Sequence, residues 1–260
     1  MQHIINKDVV KNNFSRNALK YNEYAMVQAQ CAQELIEHIN GKFDDILEIG
    51  CGTGVYTELL AKHFPDSHIT AVDISARMID EAKKGDLGEK VSFVKADGEN
   101  ILQRSEVYDL ITSNAVFQWM EDLSGTINNY YSMLKPSGVL AFSIYGPGTF
   151  NEFESVIAEN FGGERWLNAT IFPDQQALDR MFSGKAHKFQ VLERKYSQEF
   201  NNLYDFLRAI KHSGTRGMGV SRGIFWGPEL VDRLERIYVD KYGKIVATHQ
   251  IFYCLAYKKA

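Results

Sequence analysis

The residues with the most evident chemistry are Glu48-Ile49-Gly50-Cys51-Gly52-Thr53-Gly54. Glycines at alternate positions let the chain turn tightly and leave its main chain bare, so a ligand can lie directly on the backbone. A helix is expected just past Gly54, and the first N–H groups of a helix have no intrahelical partner. A pyrophosphate-binding turn has the spacing G-x-G-x-x-G. Here the spacing is G-x-G-x-G, and Glu48 stands two places before it. A carboxylate there repels phosphate and suits a cation, an ammonium or a sulfonium. Asp73 follows Gly54 by 19 residues, where a carboxylate accepts from both hydroxyls of a ribose. Asp97, followed by Gly98, is placed to accept from an adenine amine, with Ile74 and Met78 on either side of the base. One such Asp would read as a helix cap. Three acidic strand ends in register with a Gly-rich turn read as a nucleoside site.

These residues need a sheet to hold them. Apolar runs at 44–50, 67–73, 91–97, 107–114 and 139–146 read as strands, and 55–64, 76–84 and 123–138 read as the helices between them. Strand and helix in alternation mean parallel strands with helical crossovers, an α/β doubly wound sheet. Residues 8–40 read as helical. Beyond Gly146 the rhythm changes, with loop and helix at 147–186, a strand at 188–200, helices at 202–213 and 228–242, and a last strand at 250–258. The expected organisation is one domain over 1–260. It comprises an N-terminal helical segment (1–43), a cofactor core (44–146), lid elements with a sixth strand (147–245) and a closing strand (246–260).

Composition narrows the class. The 260 residues are 45% hydrophobic and 24% charged, which is ordinary globular usage. With 29 Lys plus Arg against 33 Asp plus Glu, the net charge of −4 argues against a nucleic-acid coat. Cys31, Cys51 and Cys254 form no CxxC pair or metal-ligand cluster, so a reduced, cytoplasmic setting without a metal is expected. The first residues lack the apolar core of a secretory signal, and no apolar run reaches membrane-spanning length.

The segments E-I-G-C-G-T-G, V-D-I-S at 72–75, A-D-G at 96–98 and L-K-P-S-G at 134–138 resemble those of the class I S-adenosylmethionine-dependent methyltransferases. The resemblance implies a Rossmann-like sheet of seven strands with the last antiparallel. Within that class, Phe14-Ser15-Arg16-Asn17-Ala18 with Tyr21, the segment Ser113-Asn114-Ala115-Val116-Phe117-Gln118-Trp119, F-S-I-Y-G-P-G-T at 142–149, and Leu207–Lys211 with Gly214-Thr215 resemble the malonyl-[acyl-carrier protein] O-methyltransferases of biotin synthesis, the BioC family. Asn17 departs from that family's usual Ala, and S-G-T-R-G-M-G departs from its usual loop.

The resemblance implies S-adenosyl-L-methionine as methyl donor, giving S-adenosyl-L-homocysteine. It implies the free carboxylate of a malonyl thioester, on acyl-carrier protein or coenzyme A, as acceptor. A carboxylate is already nucleophilic near neutral pH, so no general base is required. The cofactor residues implied are Arg16, Tyr21, Glu48, Gly50, Cys51, Gly52, Gly54, Asp73, Ile74, Met78, Asp97, Gly98 and Asn114. Tyr21 and Trp119 are suited to wall a sulfonium, since aromatic faces attract cations. From 185 to 222 eight Lys and Arg stand against three acids. That stretch is either a solvated face or a basic lid for an acidic carrier protein. Lys211 and Arg216, flanking its Gly-rich loop, are the candidates to hold the malonyl carboxylate. The readings that compete are another small carboxylic-acid methyltransferase of trans-aconitate type, an amine or nucleic-acid methyltransferase, and a catalytically silent binding protein. A base-amine enzyme would place Pro-Pro after Asn114, where Ala-Val stands.

Overall fold

A computed structural model describes residues 5–101, 107–163, 166–213 and 226–260. Seven strands form one sheet: β1 Asp45–Ile49, β2 His68–Asp73, β3 Val91–Lys95, β4 Tyr108–Asn114, β5 Leu134–Tyr145, β6 Lys188–Phe200 and β7 Ile245–Tyr257. Their spatial order is β3-β2-β1-β4-β5-β7-β6. Every neighbouring pair from β3 to β5 is parallel, and β7 runs antiparallel to both β5 and β6. The expected doubly wound, mostly parallel sheet with one reversed strand is therefore present. Ile46, Leu47, Leu110, Ile111 and Leu140 are fully buried, as strands covered on both faces require.

Helices α4 (Val55–His63), α5 (Ala76–Ala82) and α6 (Leu123–Met133) make crossovers within the core. The helix expected at 123–138 stops at Met133 because Pro136 cannot donate within a helix and drives Lys135 to extended backbone. Leu134 already begins β5, and Ser137 takes a left-handed φ of 62°. β7 starts five residues before the expected 250, at Ile245, since β6 pairs with it along its whole length.

The N-terminal segment is not one continuous helix. It divides into α1 (Lys7–Asn17), a 3-10 turn at Ala18–Lys20, α2 (Tyr21–Tyr24) and α3 (Met26–His38). The first break falls at Asn17, whose side chain donates to the Asn13 carbonyl (2.8 Å) and to the Lys211 carbonyl (3.1 Å). Asn favours such local alternatives to the helical ladder. The carboxy-terminal half adds α7 (Asn151–Phe161), α8 (Gln175–Phe182), α9 (Leu203–His212) and α10 (Pro228–Tyr242). α9 docks on α2, with Tyr24 stacked on His212 at 4.9 Å between ring centroids. Among the described residues no helix is long and apolar enough to cross a membrane.

The described residues of the basic stretch, 185–213, do not gather into one patch. Lys188 pairs with Tyr257 where the parallel strands begin, the sheet edge opposite the carboxyl ends of β1, β2 and β4. Arg194 bonds Glu34 at 2.7 Å and Arg208 bonds Asp205 at 3.3 Å. Arg194 and Arg208 are thus paired within the chain.

Candidate functional site

A cavity opens at the carboxyl ends of β1, β2 and β4, where ligands of open α/β sheets bind. Its floor is the turn after β1. The Gly50 and Cys51 amides both donate to the Val72 carbonyl, at 2.7 and 2.9 Å, which folds the turn back onto β2. Gly50 and Gly52 have φ of 74° and 55°, a region that side chains disfavour. A Cβ at Gly50 would lie 2.3 Å from Val116, whereas one at Gly52 would meet nothing within 4 Å. Gly50 is demanded by packing, while Gly52 leaves its main chain open. Gly54 caps α4 against Ala82 with φ of 88° and does not line the cavity.

Asp73 is held in place by two backbone amides, Gly52 N–H to one oxygen at 2.9 Å and Ser75 N–H to the other at 2.7 Å. Each oxygen keeps a lone pair for a ligand hydroxyl. Burial raises its carboxyl above the usual carboxylate range, and the two amides oppose that rise. Ile74, Met78 and Gly98 line the wall beside it. Gly98 is fixed by close approach, since a Cβ would lie 2.7 Å from Ile49.

Asp97 also lines the cavity, but its oxygens already have partners. It accepts from the Lys7 ammonium at 2.7 and 2.9 Å, from Asn100 Nδ2 at 2.6 Å and from the Glu99 amide at 3.1 Å. Burial pushes its carboxyl up, but Lys7 and the other donors outweigh that and hold it below the usual range. Any ligand donor at Asp97 must share this carboxylate with Lys7.

The roof is α1, which turns Lys7, Val10 and Phe14 inward at i, i+3 and i+7. That is one face of a helix. Phe14 meets Tyr21 at 6.1 Å and Trp119 at 6.2 Å, and both partners line the cavity as expected. Burial and the Asp73 charge push the Tyr21 hydroxyl far above its ordinary range, so it stays protonated. Asn114 lines the cavity with both ends of its amide engaged: it donates to the Gln28 carbonyl (3.0 Å) and accepts from Ser143 (2.7 Å). It is a fixed wall rather than a free reacting group. Beside it Ala115 holds a left-handed φ of 57°. Strain of this kind costs about 1–3 kcal/mol and clusters at ligand sites.

Four more expected residues are placed elsewhere, and a fifth lies outside the described residues. Arg16 is exposed on α1, because two residues past Phe14 a helical side chain points away from the inward face. Glu48 is 1% exposed and does not line the cavity. Strand residues alternate in direction, and its neighbour Ile49 takes the cavity side. Cys51 packs into the core, and burial raises its thiol out of reach of ionisation. Lys211 is exposed, while Ile210 on the same helix turns inward. Arg216 lies outside the described residues.

Residues 47–140 match the family model described as a methyltransferase domain. The chain is 47% identical to a malonyl-[acyl-carrier protein] O-methyltransferase of Priestia megaterium, over 96% of this chain and 97% of that one. The chain belongs to the malonyl-[acyl-carrier protein] O-methyltransferase family. Another relative of that name, from Ilyobacter polytropus, is 35% identical over 98% of this chain and 96% of its own length. The fold matches solved structures at far lower identity. YcgJ of Bacillus subtilis aligns with a TM-score of 0.62 at 14% identity, covering 89% of this chain and 99% of that one. The N-methyltransferase NodS of Bradyrhizobium japonicum, solved with S-adenosyl-L-homocysteine, aligns with a TM-score of 0.53 at 16% identity, covering 96% and 99%.

As a member of this methyltransferase family the chain carries wall residues that sequence reasoning missed. Lys7 reaches Asp97 across 90 positions, a pairing that no local pattern encodes. Its one signal was the spacing Lys7-Val10-Phe14 on a helix face. Val72 and Val116 fell inside segments already singled out, and Met120 stood just past one.

Proposed function

We propose that this protein transfers a methyl group to the free carboxylate of a malonyl thioester carried on acyl-carrier protein, giving the methyl ester at an early step of biotin synthesis. The observation that carries this reading is the 47% identity to the Priestia megaterium enzyme across 96% of the chain. S-adenosyl-L-methionine is the methyl donor, supplying a methyl already activated on a sulfonium.

The cavity's chemistry fits that donor. Asp73 offers oriented acceptors for a ribose, Gly52 a bare main chain, and Ile74 and Met78 apolar walls for a base. Tyr21 and Trp119 present aromatic faces to a cation. The titratable groups lining the cavity are Lys7, Tyr21, Asp73 and Asp97. Lys7 and Asp97 are paired with each other, Tyr21 is held protonated, and Asp73 is held by two amides. None is placed as a general base, and a carboxylate acceptor needs none. The chain's part is to align acceptor and donor in a site that excludes water.

Mass spectrometry of malonyl-carrier protein after incubation with the enzyme and S-adenosyl-L-methionine is the direct test. The carrier is expected to gain the mass of one methyl group, removable by base as an ester. Methylation of malonyl-coenzyme A or of free tricarboxylic acids in preference to the carrier would replace this reading with a small-acid one.

A further inference from the structure

Most polar side chains lining the cavity at the carboxyl ends of β1, β2 and β4 are already engaged. Lys7 bonds Asp97 and Glu99, Asp73 accepts from two backbone amides, and Asn114 is held at both ends of its amide. Tyr21 and Trp119 remain. The Tyr21 hydroxyl and the Trp119 indole N–H have no hydrogen-bond partner among the described residues. Phe14 packs against both rings, its centroid 6.1 Å from that of Tyr21 and 6.2 Å from that of Trp119, so the inward face of α1 holds the pair in one enclosure. Burial keeps the Tyr21 hydroxyl protonated, and an indole nitrogen is a donor only. The walls around them include the apolar side chains of Val10, Phe14, Val116 and Met120.

A carboxylate entering such a site leaves its water behind, which costs free energy unless donors take the water's place. The donors here are neutral, and each lies in the plane of an aromatic ring. The face of such a ring attracts a sulfonium, while its polar edge suits an anion. The acceptor loses its negative charge as the methyl arrives, so a lysine or arginine bonded to it would stabilise the starting carboxylate more than the transition state. Neutral donors avoid much of that penalty and do not repel the sulfonium.

We propose that Tyr21 and Trp119 hold the acyl carboxylate in this cavity by hydrogen bonds from the hydroxyl and the indole N–H. The inference rests on the carboxylate-methylating function given above, and it gives the two side chains a part in positioning the acceptor. Asp73 ends β2 and Trp119 follows β4, with β1 between those strands. A ribose at Asp73 therefore leaves the β4 side of the cavity to the acyl group.

The cofactor carries a carboxylate of its own, on its amino-acid end, so the test separates the two sources. Tyr21→Phe and Trp119→Phe each remove the donor and keep an aromatic ring. Three quantities are measured on each: the KM for malonyl-carrier protein, the Ki of acetyl-carrier protein, which lacks the second carboxyl, and the Kd of S-adenosyl-L-homocysteine by calorimetry. Each variant is expected to raise the KM about tenfold, with the Ki and the Kd unchanged within about twofold. A KM left unchanged by either variant overturns the pairing. A Ki that rises in step with the KM overturns it as well, since the loss is then not one of carboxylate recognition. A Kd that rises while the KM does not would assign the donors to the cofactor's carboxylate instead. In each of these cases the function stands if the wild type methylates the carrier. If the wild type methylates no malonyl thioester, the function falls and takes this inference with it.

Discussion

Asp73 shows how a side chain becomes a binding group by being immobilised. Two backbone amides fix its oxygens, so on the proposed reading a ribose meets acceptors that need no reorganisation. Replacing Asp73 with Ala is expected to weaken cofactor binding by about 2–4 kcal/mol, two hydrogen bonds to a charged group, and calorimetry on the folded variant measures it. Glu48 acts differently. It touches no ligand wall, yet burial, with the like charge of Asp73 adding and the Thr57 hydroxyl opposing, pushes its carboxyl up to about 8. At pH 7 the empty protein therefore holds Glu48 mostly protonated. A cation in the neighbouring cavity favours the ionised form, so cofactor binding is expected to release protons. Titration in buffers of different ionisation enthalpy reads this directly, and Glu48→Gln should reduce the release. The glycines and Asp73 were legible because a turn with bare main chain and a terminal carboxylate each state their chemistry in one residue type. The pairing of Lys7 with Asp97 was not legible, since it joins residues 90 positions apart.

α1 is the element that completes the cavity while contributing little to the core. None of its residues is fully buried, yet it supplies Lys7, Val10 and Phe14 to the roof. Deleting residues 1–17 is expected to leave the sheet folded, with only a few degrees of Tm lost, while cofactor affinity falls more than about tenfold. Circular dichroism and calorimetry on one preparation separate the two effects. The strands could be read in advance because a doubly covered parallel strand is a continuous apolar run. The helix breaks could not, because Asn17 leaves the helix for a carbonyl of α9 that lies 194 residues away. Where Pro136 stands, the same physics was legible in principle, and the helix end at Met133 follows from it.

For the molecule as a whole, the raised Glu48 pKa sets a pH dependence. The folded protein binds this proton more tightly than the unfolded chain, whose carboxyl titrates near 4.5. Its stabilising effect is complete below that value and is lost as pH rises through about 8, at a slope of at most about 1.4 kcal/mol per pH unit. Chemical denaturation of the empty protein from pH 5 to 9 is expected to show declining stability, and Glu48→Gln to flatten the decline. The whole-chain architecture followed from the order of strand and helix, but charge placement did not. The eight basic residues at 185–222 look like one face in sequence, and only the pairing of β6 with β7 reveals that Lys188 sits at the far edge of the sheet.

Lys7 ties the amino-terminal helix to Asp97 and Glu99 at 2.7 and 2.5 Å, and Ser15 ties it to Ser75 at 2.8 Å. These bonds fasten the helix that roofs the cavity, and dissolved salt screens the ion pair among them. In stopped-flow displacement, S-adenosyl-L-homocysteine is expected to leave faster as ionic strength rises. With Lys7→Met its departure is expected to be fast at every salt concentration.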